Sequence, residues 1–403
     1  MKLKECFLYL KEIMERFYPI GDDGKGGVTR LAYTDSEDKM HEEFANIGIE
    51  EGYHVEVDEV GNTFLSIGKE EEYYLVGSHL DSVINGGRFD GVLGVAVGLL
   101  LLKKIKEENL NIPLKVVALR CEESSNFMKA TLGSSLITGE YKSEDFISLK
   151  SREGKSLGDI FKERGYNQSP DLIQGVKAYL ELHIEQGRIL ESEDLPIGIV
   201  TAIAGNTRFK VNIKGMAEHS GATPMNIRQD ALCGAAEIIL GIEKIGQGDF
   251  TSTSVTTVGV LDIHPNSLNV IPGEVEFSVD IRDGDNDNIE RLRVDIYQLI
   301  KEVCHRRKLL FQVEFLSSSS AVQLDAHLIQ ELVSIATELN IKHKIMPSGA
   351  GHDAMKFAKL ASTGMIFVPC KGGISHNPME EADLNHAAVG ADIIFHYLKG
   401  KKS

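Results

Sequence analysis

The sequence predicts an α/β protein in which a large domain with a mainly parallel sheet is interrupted by a smaller inserted α+β domain. At 403 residues the chain is longer than a usual domain of roughly 100 to 200 residues, so we expect two or more domains. Apolar strands alternate with helices toward both ends of the chain, whereas the middle contains strands of alternating polarity. We therefore expect a first domain of residues 1–206 and 318–403 and a second domain of residues 207–317.

The first domain is predicted from helix and strand patterns that follow one another along the chain. Amphipathic periodicity indicates helices at 4–17, 37–51 and 91–106, and a helical Lys/Glu-rich stretch that ends near 164. Runs of apolar and β-branched residues indicate strands at 54–60, 63–68, 73–80, 114–121 and 178–184. Helix and strand patterns resume from about 325 and end in a helix at 386–400. Apolar strands separated by helices are typical of a covered parallel sheet.

The inserted domain is predicted from a change of pattern after residue 206. A strand at 207–215 is followed by a helix at 230–245 and by a strand pair around "HPNSLNVIPG". The first strand of that pair is expected over 253–263. A second amphipathic helix at 288–306 and a last strand at 309–316 complete the order β-α-β-β-α-β. This order describes an antiparallel sheet with two helices on one face.

The charge balance excludes some classes of partner. Lys and Arg number 43 against 60 Asp and Glu, which gives a net charge of -17. Such a chain repels nucleic acid phosphates and anionic membrane surfaces, so we expect neither as a partner. The longest apolar run, "GVLGVAVGLLLLKKI", is too short to span a bilayer, and the N-terminal residues lack the apolar core of a signal peptide. Five scattered cysteines without a CxxC pair indicate a reducing compartment, and we expect a cytoplasmic protein.

Candidate metal ligands lie where the predicted parallel strands end, which is the edge at which α/β sheets place their sites. The candidates are His79, Asp90, Glu122, Glu123, His183 and His376. A single histidine at a strand end is more often structural, and a pair of glutamates there is commonly solvated. Their combination offers nitrogen and oxygen ligands for two divalent ions that share a carboxylate, which suits Zn, Mn, Co or Ni. Two ions about 3.5 to 4 Å apart can hold a hydroxide and polarise a carbonyl, so we expect hydrolysis.

Strand geometry suggests different tasks for neighbouring acids. Asp81 follows His79 by two residues and would share its strand face, so Asp81 can orient the His79 ring. Glu122 and Glu123 would point to opposite sides of a strand end. One of them can then bind a cation while the other acts as a base.

Motifs along the whole chain resemble one branch of a known family. They are "GSHLDSVINGGRFDGVLGV", "EESSNF", "LELHIEQGRILE", "EHSGATPM", "SGAGHDAM" and "GISHNPMEE". Together they are similar to the N-carbamoyl-L-amino-acid hydrolase and allantoate amidohydrolase branch of the M20 metallopeptidases. The resemblance implies that the first domain is the catalytic domain and that the second is a lid and dimerisation domain.

The resemblance also implies a role for each metal ligand. One ion would be held by Asp90, Glu123 and His376, and the other by His79, Asp90 and His183. Asp90 would bridge the two ions, and Glu122 would be the general base, with Asp81 beside it. Many M20 peptidases have an acid at the position of His183, so this histidine indicates an amidohydrolase rather than an aminoacylase or dipeptidase.

Further site residues follow from the resemblance. His219 matches a histidine that reaches the partner subunit's site and donates to the developing oxyanion, which implies a homodimer. Residues matching positions that hold the substrate's carboxylate and amide are Gln186, Asn269, Arg282 and Gly351. A guanidinium suits a carboxylate, although without the resemblance a pair with Asp280 or Asp283 is the favoured explanation of Arg282.

The expected substrate is a small ureido compound that bears a carboxylate. An N-carbamoyl-L-amino acid is the first choice, and allantoate and β-ureidopropionate remain alternatives with the same anchors. Ser124 and Asn126 depart from the glycine and arginine of the family's usual "EEGSRF", which affects the substrate preference rather than the metal chemistry. A non-catalytic binding protein of the same fold would be expected to lose ligands or the base, and this chain keeps all six residues.

Overall fold

The computed structural model describes residues 1–22, 24–68, 70–141, 146–248 and 254–401. Its chain divides into two compact units. The first unit comprises Met1–Thr201, Leu324–Met346 and His352–Ser403, and the second comprises Ala202–Gln323 and Pro347–Gly351. The second unit is longer than the predicted 207–317, because its first and last long strands pair with each other as far as Asn206 and Ser319. It also takes in a short segment that lies far along the sequence.

The helices and strands are as follows. The helices are α1 Leu3–Phe17, α2 Asp35–Glu50, α3 Val92–Glu107, α4 Leu132–Ile137, α5 Leu157–Arg164, α6 Ile189–Ser192, α7 Ala231–Gln247, α8 Asn286–Arg307, α9 Ala326–Glu338, α10 Ala354–Phe357 and α11 Leu384–Gly400. The strands are β1 His54–Val57, β2 Thr63–Ser66, β3 Tyr73–His79, β4 Leu114–Leu119, β5 Val176–Ile184, β6 Ile197–Ile203, β7 Gly205–Lys214, β8 Val255–Thr257, β9 Leu261–His264, β10 Glu274–Asp283, β11 Leu310–Ser319, β12 Val322–Gln323, β13 His343–Ser348 and β14 Ser362–Val368. The expected helical stretch before 164 includes residues 142–145, which lie outside the described residues, and α4 and α5 lie on either side of them.

The large sheet has nine strands in the order β1-β2-β4-β3-β5-β14-β6-β12, with β13 paired to β6. Its centre is parallel, because β3 pairs in parallel with both β4 and β5, and β5 pairs in parallel with β14. Antiparallel pairs flank this centre, between β2 and β4 and between β14 and β6. The predicted α/β class with a parallel central sheet is confirmed, and the antiparallel strands are its margins.

The core of the first unit surrounds α3. This helix packs on β3, β4 and β5 and also contacts α1 and α11, so nearly all of its side chains are buried. Glycines allow the close approach to the sheet: a Cβ at Gly94 would lie 2.4 Å from the Leu182 carbonyl oxygen. Complete burial of a leucine is worth about 1.5 to 3 kcal/mol, so the apolar run of α3 is a major source of stability. No helix in the described ranges combines the length and apolarity needed to cross a bilayer.

The second unit contains a five-stranded antiparallel sheet in the order β11-β7-β10-β8, with β9 also paired to β10. Side chains of β7 and β10 alternate between buried and partly exposed, and α7 and α8 cover the buried face. The sequence predicts one strand over 253–263, but the structure has β8 and β9 there, and residue 253 lies outside the described residues. The two strands pair with β10 in registers that differ by one residue, so the expected single strand is interrupted between them. The predicted antiparallel sheet with two helices is confirmed.

Candidate metal centre

The metal-ligand candidates meet at the carboxyl edge of the parallel strands. His79 is the last residue of β3, and His183 lies one residue before the end of β5. Asp90 lies two residues before α3, while His376 lies on the loop that follows β14. Because β3, β5 and β14 are neighbours and run in the same direction, their ends bring these side chains together.

One group consists of His79, Asp90 and His183. Asp90 Oδ1 lies 3.3 Å from His79 Nε2 and 3.1 Å from His183 Nε2, and all three side chains are buried. The other ring nitrogens contact backbone carbonyls: His79 Nδ1 lies 3.1 Å from the Asp81 oxygen, and His183 Nδ1 lies 2.9 Å from the Ile184 oxygen. Both rings are therefore fixed with Nε2 directed at the same carboxylate oxygen.

A second group consists of Asp90, Glu123 and His376. His376 Nε2 lies 2.9 Å from Glu123 Oε1 and 3.4 Å from Asp90 Oδ2. His376 is the most accessible member, with 46% of its side chain exposed. Asp90 thus presents one oxygen to each group, which is the arrangement that a carboxylate shared by two cations needs.

The residues present fit two divalent ions. In each group the potential ligand atoms lie within 4.8 Å of one another. A ligating histidine usually donates its second ring nitrogen to a carbonyl or carboxylate, as His79 and His183 can do here. The groups also attract positive charge: hydrogen bonds to Asp90 and Glu123 raise the pKa of His376 to about 11. Burial alone would lower the pKa of His79 and of His183, yet the neighbouring carboxylates raise both.

A glycine brings the Asp90 turn against the His79 ring. Gly91 has φ 67°, and a Cβ at this position would lie 2.5 Å from His79 Nε2. A residue with a side chain would therefore be strained by its backbone conformation and would collide with the ring. The Gly91 amide also lies 3.3 Å from His183 Nε2. Gly91 is required for the close approach of the Asp90 turn to both histidines.

The paired glutamates lie beyond the strand rather than at its end. β4 ends at Leu119, and Cys121 has a left-handed backbone with φ 55°, so strand alternation does not set the directions of Glu122 and Glu123. Their carboxylates nevertheless diverge. Glu122 Oε2 lies 3.9 Å from His79 Nε2, whereas Glu123 Oε1 contacts His376. The loop conformation, not the pleat, separates the two side chains.

Asp81 fixes that loop. Its Oδ1 accepts the Glu122 amide and its Oδ2 accepts the Glu123 amide, both at 3.0 Å. The His79 ring lies 3.4 Å from Asp81 Oδ1 but is nearer to the Asp81 backbone carbonyl. From the sequence, Asp81 is predicted to orient the His79 ring. In the structure its carboxylate also holds the backbone of both glutamates. The β3 and β4 strand ends are thereby joined through one carboxylate.

Glu122 occupies an environment suited to holding a proton. Its side chain is buried, and burial raises the pKa of Glu122 well above the usual value for a glutamate. The charges of Glu123 and Asp353 raise this pKa further, against the opposite effect of His79. A carboxylate that accepts a proton readily and lies beside the metal-ligand candidates has the properties of a general base.

A third set of potential ligands is better explained as an internal network. It contains Glu181, His183 and His352, all buried. The Glu181 oxygens accept hydrogen bonds from Ser78 Oγ at 2.7 Å, Tyr179 Oη at 3.2 Å and the Ala354 amide at 3.1 Å. Buried carboxylates with such donors need no cation. Glu181 and His352 are not among the candidates predicted from the sequence, although the alternation in "LELHI" places Glu181 on the same strand face as His183.

Gln186 lies beside the second group. Its Nε2 donates to Asp90 Oδ2 at 2.6 Å and lies 3.5 Å from His376 Nε2. The residue follows β5 with a left-handed backbone, φ 59°, which turns its amide toward Asp90. The structure therefore places this predicted substrate residue in contact with two of the metal-ligand candidates.

His219 and Asn269 are brought together within the second unit. The two loops that carry them form an isolated bridge between His219 and Val270, and the Ser220 amide donates to the Asn269 carbonyl at 3.0 Å. His219 Nδ1 accepts the amides of Gly221 and Ala222, each at 3.1 Å. An accepting Nδ1 leaves the proton of the neutral ring on Nε2, so the exposed His219 presents a hydrogen-bond donor.

Arg282 is paired within the second unit. Its Nη2 lies 3.2 Å from Asp280 Oδ2, and its Nη1 donates to the Gly349 carbonyl at 3.2 Å. Of the two partners that the sequence allows, Asp280 is the one observed, while Asp283 accepts from Ser254 Oγ. About a third of the Arg282 side chain remains exposed, 34%. The predicted residue Gly351 is exposed and belongs to the same unit.

The departure at Asn126 has a local structural explanation. Asn126 is buried, its Nδ2 donates to the Ala32 carbonyl at 2.7 Å, and its Oδ1 accepts the Arg152 amide at 3.2 Å. Arg152 Nε in turn donates to the Ser125 carbonyl at 2.9 Å. Asn126 thus holds the turn that contains Arg152 against the segment that follows Glu123, and the Arg152 side chain is exposed there. An arginine at this position would have no acceptor for the Arg152 amide.

Comparisons with known proteins agree with this fold. Residues 75–400 match the model of Peptidase family M20/M25/M40. An N-carbamoyl-L-amino acid amidohydrolase of Geobacillus stearothermophilus is 37% identical over 404 residues, 96% of this chain and 97% of that protein. An allantoate amidohydrolase of Bacillus subtilis is 33% identical over 396 residues, 94% of each chain. The crystal structure of a hydantoinase/carbamoylase family amidase from Burkholderia multivorans has a TM-score of 0.91 at 34% identity and covers 98% of this chain and 97% of its own.

The family match and the similarity to these amidohydrolases define the class: a hydrolase that acts on carbon–nitrogen bonds other than peptide bonds. The chain belongs to Peptidase family M20/M25/M40, as an amidohydrolase of the carbamoylase and allantoate amidohydrolase type. Hydrolases of this family generally depend on two metal ions, and the described residues contain groups able to hold them.

Proposed function

We propose that the protein hydrolyses N-carbamoyl-L-amino acids at the bond between the ureido carbon and the amino acid nitrogen. Water adds to the ureido carbon, the carbon–nitrogen bond breaks, and the amino acid leaves as the free amine. The other product is carbamate, which decomposes to ammonia and CO2. The observation that carries this proposal is the Asp90 carboxylate shared by two ligand groups, with Glu122 beside one of them. The similarity to a named N-carbamoyl-L-amino acid amidohydrolase supports the substrate class.

Two divalent ions per subunit are part of the proposal, either zinc or manganese, cobalt or nickel. His79, Asp90 and His183 would hold one ion, and Asp90, Glu123 and His376 the other. When bound, such ions polarise a carbonyl group and lower the pKa of water. The nitrogen and oxygen ligands are those that these metals prefer.

Glu122 would carry the proton. As a carboxylate it accepts a proton from the attacking water, and as a carboxylic acid it returns the proton to the departing amino nitrogen. The raised pKa of Glu122 supports this cycle, since the acid form must persist until the leaving group needs the proton. Asp81 would keep the Glu122 backbone in place during the transfer.

The remaining residues would bind and orient the substrate. Arg282 would take the substrate's carboxylate by two parallel hydrogen bonds, and Gln186, Asn269 and Gly351 would hold its carboxylate and amide groups. His219 would donate from Nε2 to the oxyanion, and the tautomer fixed by its Nδ1 contacts supports this role. We propose that His219 acts in the site of a partner subunit, which requires a homodimer.

Allantoate is the second candidate substrate, because a relative of similar identity is an allantoate amidohydrolase. It has a ureido group and a carboxylate, and so does β-ureidopropionate. The same anchors would serve all three compounds. The segment that contains Asn126 differs from the usual family pattern and lies directly after the two glutamates. The preference among these substrates therefore has to be measured.

The test is a substrate panel. Purified protein is stripped of metal, reloaded separately with Zn, Mn, Co or Ni, and assayed for ammonia release. The substrates are N-carbamoyl-L-methionine, N-carbamoyl-L-alanine, allantoate and β-ureidopropionate. The D-enantiomers of the two N-carbamoyl amino acids serve as controls. We expect the highest kcat/KM on an N-carbamoyl-L-amino acid. A higher kcat/KM on allantoate would identify allantoate as the preferred substrate in place of N-carbamoyl-L-amino acids. No turnover of any compound with any metal would contradict the proposed function.

A further inference from the structure

Glu380 is a buried carboxylate on the loop that carries His376, with a relative exposure of 2%. One oxygen, Oε1, accepts the backbone amide of Phe89 at 2.7 Å and that of Asp90 at 3.1 Å. These amides belong to the turn that leads into α3. A residue far along the sequence therefore holds the backbone of the shared carboxylate residue.

The second oxygen of Glu380 reaches the same residue from the other side. The Ser375 hydroxyl lies 3.0 Å from Glu380 Oε2 and 2.7 Å from Asp90 Oδ2. Ser375 directly precedes His376. Ser375 Oγ thus lies within hydrogen-bonding distance of both carboxylates, and together with the amide contacts of Glu380 Oε1 it links the Asp90 backbone, the Asp90 carboxylate and the His376 loop.

We propose that Glu380 is a positioning residue that fixes Asp90 against the His376 loop, and so controls how tightly the group of Asp90, Glu123 and His376 binds a divalent ion. This rests on the proposed function only in that the groups hold metal. Ser375 contacts Asp90 Oδ2, the oxygen that faces His376, whereas Oδ1 faces the two strand-end histidines. The link through Ser375 is therefore directed at the group that contains His376.

The other group is held by different means. His79 and His183 lie on central strands, and their rings contact backbone carbonyls of their own segments. His376 lies on a loop with a left-handed backbone, φ 55°, and its side chain is half-exposed. The loop also makes long-range contacts through Glu380, and these contacts are buried. Removal of such outer contacts typically lowers metal affinity about 10- to 100-fold.

Metal titration of the full-length apoprotein tests the proposal without a substrate. Co²⁺ binding is followed by calorimetry and by visible absorption, and H376A and H183A serve as references for the two groups. We expect E380A to lose affinity about 10- to 100-fold at the site that H376A abolishes, with the other site within about threefold of wild type. E380Q, which keeps an acceptor oxygen for the amides, should recover part of the affinity.

One further variant and a control keep the test decisive. E381A removes the neighbouring exposed glutamate, which pairs with Lys371, and should bind both ions as wild type does. S375A removes the link to Asp90 Oδ2, and should weaken the same site by a smaller factor than E380A. If E380A does not fold, S375A and E380Q provide the readout.

Wild-type Co²⁺ binding by folded E380A, or by both S375A and E380Q, would overturn the proposal. Equal loss at both sites would also overturn it, because that result indicates a general structural role. None of these outcomes depends on which ureido compound is hydrolysed, so failure of the proposed substrate would be recognised separately.

Discussion

The two units carry their candidate site residues in contrasting ways. In the first unit the metal-ligand candidates are mostly buried and contact one another, so that a single Asp90 carboxylate touches three histidines. In the second unit His219 and Asn269 are exposed, and Arg282 is partly exposed. Their hydrogen bonds to described residues include contacts with backbone groups and side chains of that same unit.

The difference indicates two kinds of organisation. The first set is preorganised by strand ends and by carboxylates that bond backbone amides, as a metal centre requires. The second set consists of hydrogen-bonding side chains that are exposed or partly exposed at the surface of the smaller unit. Loss of a residue from the first set should therefore alter metal content or the chemical step, whereas loss from the second should alter kinetics with the metal content unchanged.

Glu122→Gln should have the largest effect. The amide cannot accept a proton from water, so we expect kcat to fall by about 10²- to 10⁴-fold or more. Glu122 belongs to neither ligand group, so the metal content should stay at the wild-type value by elemental analysis. Glu381→Gln is the control, because Glu381 is exposed and pairs with Lys371. Unchanged kcat in Glu122→Gln would remove this residue from the mechanism.

His219→Ala should follow, with a fall in kcat of about 10²- to 10³-fold, as expected for loss of an oxyanion donor. Metal content should not change. Mixing the inactive Glu122→Gln and His219→Ala proteins tests the action in trans, since a mixed dimer would contain one site with both wild-type residues. Recovery of activity on mixing is the expected outcome, and its absence under conditions of proven subunit exchange would place His219 in its own subunit's site.

Arg282→Ala should raise KM more than it lowers kcat, and reduce kcat/KM by about 10- to 100-fold, because a charge-assisted pair of hydrogen bonds to the substrate is lost. Asp280→Asn is the matched variant, since it removes the observed ion pair but keeps the guanidinium. If Arg282 serves only to pair with Asp280, the two variants will behave alike. A loss confined to Arg282→Ala supports carboxylate binding.

Gly91→Ala tests the close packing of the first set. The added Cβ would lie 2.5 Å from the His79 ring at a backbone φ of 67°, so we expect at least about a tenfold loss of metal affinity. Gly24→Ala provides the control: it has φ 73°, but a Cβ there would meet nothing within 4 Å. Its strain should cost about 1 kcal/mol in unfolding free energy without any change in metal binding.

The sequence by itself predicts the elements and the chemical identity of the candidates. Apolar strands between helices predict the covered parallel sheet, and alternating strands predict the antiparallel domain, because local periodicity records which face of an element is buried. The histidines at positions 79 and 183 lie at the carboxyl ends of predicted parallel strands, so their location at one edge of the sheet follows from the sheet type. The motif resemblance adds the roles of the ligands, which periodicity cannot supply.

The tertiary structure alone decides the contacts between distant loops. Glu122 and Glu123 diverge because Asp81 holds both of their amides, not because a strand pleat separates them. Glu380 bonds the Asp90 turn across most of the chain, and the register change that splits β8 from β9 depends on pairing with β10. Such contacts depend on loop conformations and on partners hundreds of residues away, and no local pattern of hydrophobicity records them.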